Sequence, residues 1–347
     1  MRYIGNKEKL IPIIHRIMQK YIRLDSNMSF FDVFAGSASV GAYFKKEGFK
    51  VASCDLLYFS YCLQRAYLGD SNLQFKNLRI FNNNLFNDAY LNVLAYLNTL
   101  RGTKGFIYRN YAPSGSKETG ITRMYFSDKN AKKIDSIRMQ IEKWKSNLSE
   151  NEYYLLLATL IESVSLYANI TGVYGAFCKQ WDKRALKDFE LKPLNLIDGV
   201  LGECFCEDSF NALNNSGYYD ILYLDPPYNH RQYAPNYHLL ETIAKYDNPH
   251  IKGISGLRNY ENQKSKFCNI KMVANELRKI INLKNYRYLV LSYNSEGLLK
   301  KREIDDILQN IGSVYFEEID YLRFKSQAKA NQKYIKEYVW IVENKML

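Results

Sequence analysis

Apolar and polar positions follow two rhythms along this chain. Residues 30–34 form a short apolar run that predicts a buried strand. It passes directly into Ala35-Gly36-Ser37-Ala38-Ser39-Val40-Gly41 and then a helical stretch ending near Glu47, with Gly48 as its stop. Residues 50–54 predict a second strand closing on Asp55, and 56–68 return to helical spacing through Leu56, Phe59, Leu63 and Ala66. Further strands are predicted at 202–206, 220–224, 286–292 and 338–343, with helices at 237–246, 273–283 and 303–310. Strands alternating with helices imply an α/β fold whose mostly parallel sheet is covered on both faces.

The rhythm breaks after Asp55. About 145 residues separate it from the strand at 202, whereas one crossover of such a sheet needs a few tens. Helical patterns at 85–100, 130–147 and 152–168 surround a Gly-, Ser- and Arg-bearing stretch at 101–123. The pattern predicts an inserted, mainly helical domain at 69–184, set into a discontinuous sheet domain of 1–68 and 185–347.

Composition narrows the partners. The chain has 347 residues, 47% apolar and 24% charged, enough for a substantial core and unlike a disordered tail. Forty-eight Lys and Arg against 36 Asp and Glu leave a net charge of +12, an excess that attracts a polyanion, nucleic acid first among them. A solvated basic surface on a Lys- and Asn-rich chain is the competing explanation. The 30 tyrosines can stack on bases as well as build a core. Six cysteines, of which Cys204 and Cys206 alone are close in sequence, make neither a disulfide framework nor a zinc site, so no metal is expected. The apolar stretch 153–168 carries Glu162 and two serines, short of the roughly 20 apolar residues of a membrane span. With no apolar run behind the N-terminal charge, a cytoplasmic protein with no membrane partner is expected.

Three motifs carry candidate chemistry. The turn Phe34-Ala35-Gly36-Ser37-Ala38, closing a strand and opening a helix, lets backbone N–H groups approach a ligand closely; a tight structural turn would look the same. Asp55, ending the next strand, could accept both hydroxyls of a ribose, or cap the helix that follows. Together they favour an adenosine-containing cofactor. The third motif is an apolar strand ending in Asp225-Pro226-Pro227-Tyr228. Two prolines force an extended backbone, so the Asp225 carboxylate and Pro226 carbonyl can form two acceptors aimed at one point. Accepting both hydrogens of an exocyclic amino group draws its nitrogen toward tetrahedral geometry and frees its lone pair, while Tyr228 offers a stacking face for a planar base. A purely structural Pro-Pro turn is the alternative.

In these motifs and their order the chain resembles the alpha-ordered N6-adenine DNA methyltransferases, Dam-like and restriction-modification enzymes, over nearly its whole length. The resemblance implies a Rossmann-like S-adenosylmethionine-dependent methyltransferase sheet with an inserted target-recognition domain. Arg2-Tyr3-Ile4-Gly5-Asn6-Lys7 looks like the family's N-terminal motif, with Tyr3 and Lys7 as cofactor contacts. Phe31-Asp32-Val33-Phe34-Ala35-Gly36-Ser37-Ala38 is similar to its cofactor loop, with Ala38 where the family usually has Gly. Asp55 matches the ribose acid, and Cys206-Glu207-Asp208-Ser209-Phe210 the segment that meets the cofactor's adenine through Asp208, Ser209 and Phe210. Asp225, Pro226, Pro227 and Tyr228 are the implied catalytic signature.

The implied substrate is double-stranded DNA, docked along a basic cleft, with the target adenine flipped out. Segment 169–179 loosely resembles a DNA-contacting segment through Tyr174 and Lys179, and Arg231, Gln232 and Tyr233 could form a mobile loop over the flipped base or an ordinary surface loop. The strand end Ser292-Tyr293-Asn294 is a further candidate contact. A restriction endonuclease is the implied functional counterpart. Competing readings are an RNA or protein amino-methyltransferase, a catalytically silent DNA-binding module and a nicotinamide dehydrogenase.

Overall fold

The computed structural model describes residues 3–78, 86–322 and 334–344. Its strands, in chain order, are β1 (Ser29–Asp32), β2 (Lys50–Cys54), β3 (Glu203–Phe205), β4 (Tyr219–Leu224), β5 (Ile251–Lys252), β6 (Leu257–Arg258), β7 (Tyr286–Asn294), β8 (Gly312–Leu322) and β9 (Tyr334–Asn344). Seven form one sheet in the order β3-β2-β1-β4-β7-β9-β8. The first five run parallel, while β9 is antiparallel to both β7 and β8. The sheet is thus α/β and mostly parallel, as the alternating pattern predicts. The described chain divides into two compact units.

The sheet unit comprises Gly5–Gln64, Ile197–Tyr233 and Asn262–Leu347. Its central strands are covered on both faces, so successive residues are buried: Phe30 and Phe31 in β1, Ile221 to Leu224 in β4, and Tyr288 to Asn294 in β7. Helices Val273–Ile281 and Lys301–Leu308 close one face through Val273, Leu277, Ile280, Ile304 and Leu308, packed against Leu289, Leu291, Trp340 and Val342. Three elements lie outside the predicted set, among them the short helix Ser209–Asn215. Helix Ile11–Tyr21 carries Pro12 in its first turn and buries Ile11, Ile14, His15, Ile17 and Met18, a helical stripe open to reading in the sequence. Edge strand β8 is half exposed, which blurs its alternation.

The helical unit comprises Met1–Ile4, Arg65–Leu196 and Ala234–Glu261. At its centre is helix Glu150–Tyr167, opened by a reciprocal Ser149–Glu152 cap and buried on nearly every side. Among the described residues no helix is long and apolar enough to cross a membrane. The predicted helix 85–100 is observed as Ala89–Thr99, its residue 85 lying outside the described residues, and 130–147 as Asp128–Trp144 with a final 3-10 turn. Within the Gly-, Ser- and Arg-bearing stretch 101–123, to which no element was assigned, helices Phe106–Tyr111 and Pro113–Lys117 form. The first begins on Gly105, whose lack of a side chain leaves its opening N–H groups uncapped locally. Asp135 supplies the cap from Asp128–Trp144, accepting from the N–H groups of Gly105 (3.0 Å), Ile107 (2.9 Å) and Tyr108 (2.8 Å).

Segment 234–261 belongs to this unit, whereas the sequence pattern put all of 185–347 with the sheet. Buried side chains hold it: Arg138 donates to the carbonyls of Ile243 and Ala244, both at 3.0 Å, and Tyr246 donates to Asp135 at 2.7 Å. The helix Tyr233–Lys245 carries this segment and is kinked at Tyr237, where φ is −123°.

Candidate functional site

In the sheet unit, β1 lies between β2 and β4, so the chain leaves β1 toward one side and returns on the other. The carboxyl ends on either side of such a reversal form the ligand crevice of an open parallel sheet. Asp32 pairs with Tyr223, two residues before Asp225, and the Val33 N–H donates to the Tyr223 carbonyl at 3.1 Å. The Gly36 turn and Asp225 therefore leave neighbouring parallel strands at the same sheet edge.

The turn depends on left-handed backbone at Gly36 (φ 52°) and at Ala38 (φ 60°, ψ 12°). For Ala38 this conformation costs roughly 1 kcal/mol, because its Cβ crowds the following carbonyl. Ala38 adopts the turn nonetheless, and its N–H donates to the Ala35 carbonyl at 2.7 Å. Phe34 packs edge-on against Phe267 with ring centroids 5.0 Å apart, and Ser37 donates to Ser39 at 3.2 Å. Asp55 braces the turn, Oδ2 accepting from Gly36 N–H and Oδ1 from Leu57 N–H, both at 2.8 Å. Asp55 thus shapes the turn that leads into helix Tyr58–Leu68 rather than capping its first turn. Asp208 accepts from Phe210 N–H at 3.0 Å and caps the start of Ser209–Asn215, while the backbone carbonyl of Glu207 beside it accepts from the Cys54 thiol.

Charge is concentrated here. Lys7, 6% exposed, lies 3.2 Å from Asp225 Oδ1 and donates to Glu337 of β9. Glu337 also accepts from the Ser292 hydroxyl at 2.6 Å. Burial works against the Lys7 charge, but the two carboxylates outweigh it and hold its pKa well above the ordinary value. One ammonium cannot neutralise two acids. Burial and the neighbouring Glu337 therefore keep Asp225 above the usual carboxylate range despite Lys7. Asp32 is 1% exposed, and among the described residues neither carboxyl oxygen has a hydrogen-bond partner. Its burial, then the charge of Asp225, push its pKa up to about 8, tempered by the nearby N–H groups of Gly41 and Phe34. Glu337 escaped the sequence reading because its pairing with Lys7 spans almost the whole chain, whereas Ser292, named there as a candidate contact, instead bonds Glu337.

The N-terminal motif divides between the units. Asn6 accepts from Ser39 at 3.3 Å and lies with Lys7 on the sheet unit, and Gly5 takes φ 78° with the Tyr233 hydroxyl 3.3 Å from where a side chain would begin. Tyr3 belongs to the helical unit, stacked on Tyr237 with centroids 4.6 Å apart, and Arg2 lies outside the described residues. Pro226 is buried, Pro227 and Tyr228 are half-buried, and the Tyr228 carbonyl accepts from Leu298 N–H at 2.8 Å.

Beyond the signature, the loop pictured as mobile is held: Gln232 donates to the Ser265 carbonyl at 3.0 Å and accepts from Ser265 N–H at 2.8 Å. Arg231 is exposed and Tyr233 opens a helix. Two surface expectations change. Tyr174 is 1% exposed, its hydroxyl donating to Ser165 at 3.3 Å, so its ring packs inside the helical unit and Lys179 alone of that pair faces solvent. Tyr293 is likewise buried within β7.

The fold is that of an α/β protein with a crevice where the carboxyl ends of its parallel strands meet a reversal of strand order. Residues 3–307 match the D12 class of N6 adenine-specific DNA methyltransferases, and the chain belongs to that family. It is 38% identical to the type II methyltransferase M.FokI of Planomicrobium okeanokoites over 99% of its own length and 52% of that protein's. It is 36% identical to the modification methylase StsI of Streptococcus sanguinis, with the same two coverages. The chain thus spans about half of these two relatives. With the type II methyltransferase M.NlaIII of Neisseria lactamica the identity is 38%, over 96% of this chain and 95% of that protein.

Proposed function

We propose that this protein transfers a methyl group from S-adenosylmethionine to the exocyclic N6 of adenine in duplex DNA, as the modification partner of a restriction endonuclease. The observation that carries the reading is the exit of Asp225 and the Gly36 turn from adjacent parallel strands, with Lys7 against Asp225. The residues at this edge fit a cationic, adenosine-bearing donor. Asp32, Asp225 and Glu337 outnumber the single ammonium of Lys7, and the orphaned Asp32 lacks a donor that a bound group would supply. The turn at Phe34, Ala35, Gly36, Ser37 and Ala38 would hold the donor with Asp55, and Asp208, Ser209 and Phe210 would meet its adenine. Bound there, S-adenosylmethionine supplies a sulfonium-activated methyl group.

The chain's own work is binding and alignment. Lys7 engages Oδ1 of Asp225 and leaves Oδ2 to accept one N6 hydrogen, with the Pro226 carbonyl taking the other. Tyr228 offers a face to the flipped base, and the rigid Pro226-Pro227 segment fixes the acceptors, so proximity carries most of the acceleration. The helical unit, with 23 Lys and Arg against 15 Asp and Glu, is suited to DNA as the target-recognition part.

Expression in a methylation-free host followed by sequencing with modification detection tests the reading. N6-methyladenine at one recurring sequence, lost with Asp225→Ala, is the expected result. Unmodified DNA, or modification found only on RNA or protein, would overturn it.

A further inference from the structure

A second feature, in the helical unit, has no place in that chemistry. Strands β5 and β6 form a hairpin whose turn, Gly253-Ile254-Ser255-Gly256, closes with a hydrogen bond from Gly256 N–H to the Gly253 carbonyl at 3.2 Å. Three of its carbonyls are drawn inward by buried side chains. Arg123 donates through Nη2 to Gly253 (3.0 Å) and through Nε to Ile254 (2.9 Å), and the Tyr111 hydroxyl donates to Gly256 (2.8 Å). Ser255 donates to the Gly175 carbonyl at 2.5 Å, tying the turn to segment 169–179. Gly256, at φ 67°, has no room for a side chain: a Cβ would lie 2.9 Å from Tyr111 and 3.0 Å from Arg123.

The consequence is a tip held from inside that presents one apolar side chain outward. Ile254 is 71% exposed, the highest value for a large apolar residue among those described. Single exposed apolar residues are ordinary on surfaces. This one differs because a buried guanidinium, a buried tyrosine and an obligatory glycine fix its position. Around it the chemistry suits a polyanion. Lys252 precedes the turn, Lys117 follows Ser116, whose hydroxyl accepts from Arg123 N–H at 2.8 Å, and Lys179 ends the tied segment; all three lysines are exposed.

We infer that Ile254 is a wedge that enters the base stack of bound duplex DNA and holds the opening from which the target base is extruded. Apolar side chains inserted between base steps unstack them, and a fixed tip does so without first losing its own conformational freedom. The inference rests on the DNA-methylation reading and assigns it a residue outside the signature and the cofactor loop.

The test compares wild type, Ile254→Ala and Ile254→Leu in methyl transfer from labelled S-adenosylmethionine to genomic DNA of a methylation-free host. At saturating cofactor, the Ala variant is expected to be slower by about tenfold and the Leu variant to stay within about threefold of wild type. Once the modified position is mapped, a mismatch at that pair, which lowers the cost of opening, is expected to bring the Ala variant to within about threefold of wild type. Thermal unfolding should be unchanged in both variants, since the side chain touches solvent. An Ala variant less than about fivefold slower, equal losses in Ala and Leu, or no gain from the mismatch would overturn the wedge while leaving the methyltransferase reading standing. A wild type that transfers no methyl group to DNA would overturn both.

Discussion

In the sheet unit buried charge is crowded: Asp225 and Glu337 both meet the ammonium of Lys7, Asp32 lies in the field of Asp225, and among the described residues neither Asp32 oxygen has a hydrogen-bond partner. In the helical unit the buried guanidiniums of Arg123 and Arg138 find backbone carbonyls, and Asp135 finds backbone N–H groups and a tyrosine. Both units bury ions, but the second holds Arg123, Arg138 and Asp135 largely through its own main chain, leaving the Nε of Arg258 without a partner, while the first gathers an excess of acid where parallel strands end. Ions held by main chain fix loops; a crowd of acids around one ammonium is where a ligand could balance charge.

Removing a satisfied ion gives the largest expected effect. Arg123→Met removes a buried guanidinium that donates to three carbonyls, those of Gly253, Ile254 and Asn110, and should cost about 3 kcal/mol in denaturant unfolding. An unchanged midpoint would show that the helical unit does not depend on this anchor.

Asp32 should behave oppositely. Its folded pKa of about 8 is raised above the ordinary 3.8, so its stabilising contribution is complete below pH 3.8 and is lost as pH rises through about 8. Asp32→Asn should therefore be more stable than wild type at pH 9 by about 3 kcal/mol, with the gap closing near pH 4. A constant gap across that range would contradict the orphaned-acid assignment.

Glu337→Gln removes the charge that raises Asp225 while keeping the side chain's size. The acid limb of the methyl-transfer pH profile, set by Asp225 losing its proton, should move down by about one pH unit. A limb that stays in place would separate Glu337 from the site's electrostatics.

The smallest effect concerns the turn at Gly36 and Ala38. Ala38→Gly relieves a left-handed alanine but frees the unfolded chain, for a net gain of about 0.5 kcal/mol in stability. Ala38→Val should lose stability by a larger margin, and the two variants falling on the same side of wild type would contradict strain at Ala38.

The same contrast explains what could be read in the sequence. Strands β1, β2 and β4 and the turn between Phe34 and Ala38 are local patterns, so the crevice and its signature were legible from runs of apolar residues and the small-residue turn that ends one. Lys7, Ser292 and Glu337 meet only through sheet order, and β9 returns antiparallel from the far end of the chain. Helix Phe106–Tyr111 hid because its cap, Asp135, is supplied by another helix, and Tyr174 read as a surface aromatic because nothing local reveals that Asn236 and Ser165 enclose it.

The most direct test of the central claim is single-turnover methyl transfer by Asp225→Ala beside its affinities for S-adenosylmethionine and duplex DNA. If Asp225 and the Pro226 carbonyl grip the amino group, transfer should fall by at least about 1,000-fold while DNA affinity stays within about fivefold. Transfer retained to within about tenfold would show that the nitrogen is activated elsewhere and contradict this account.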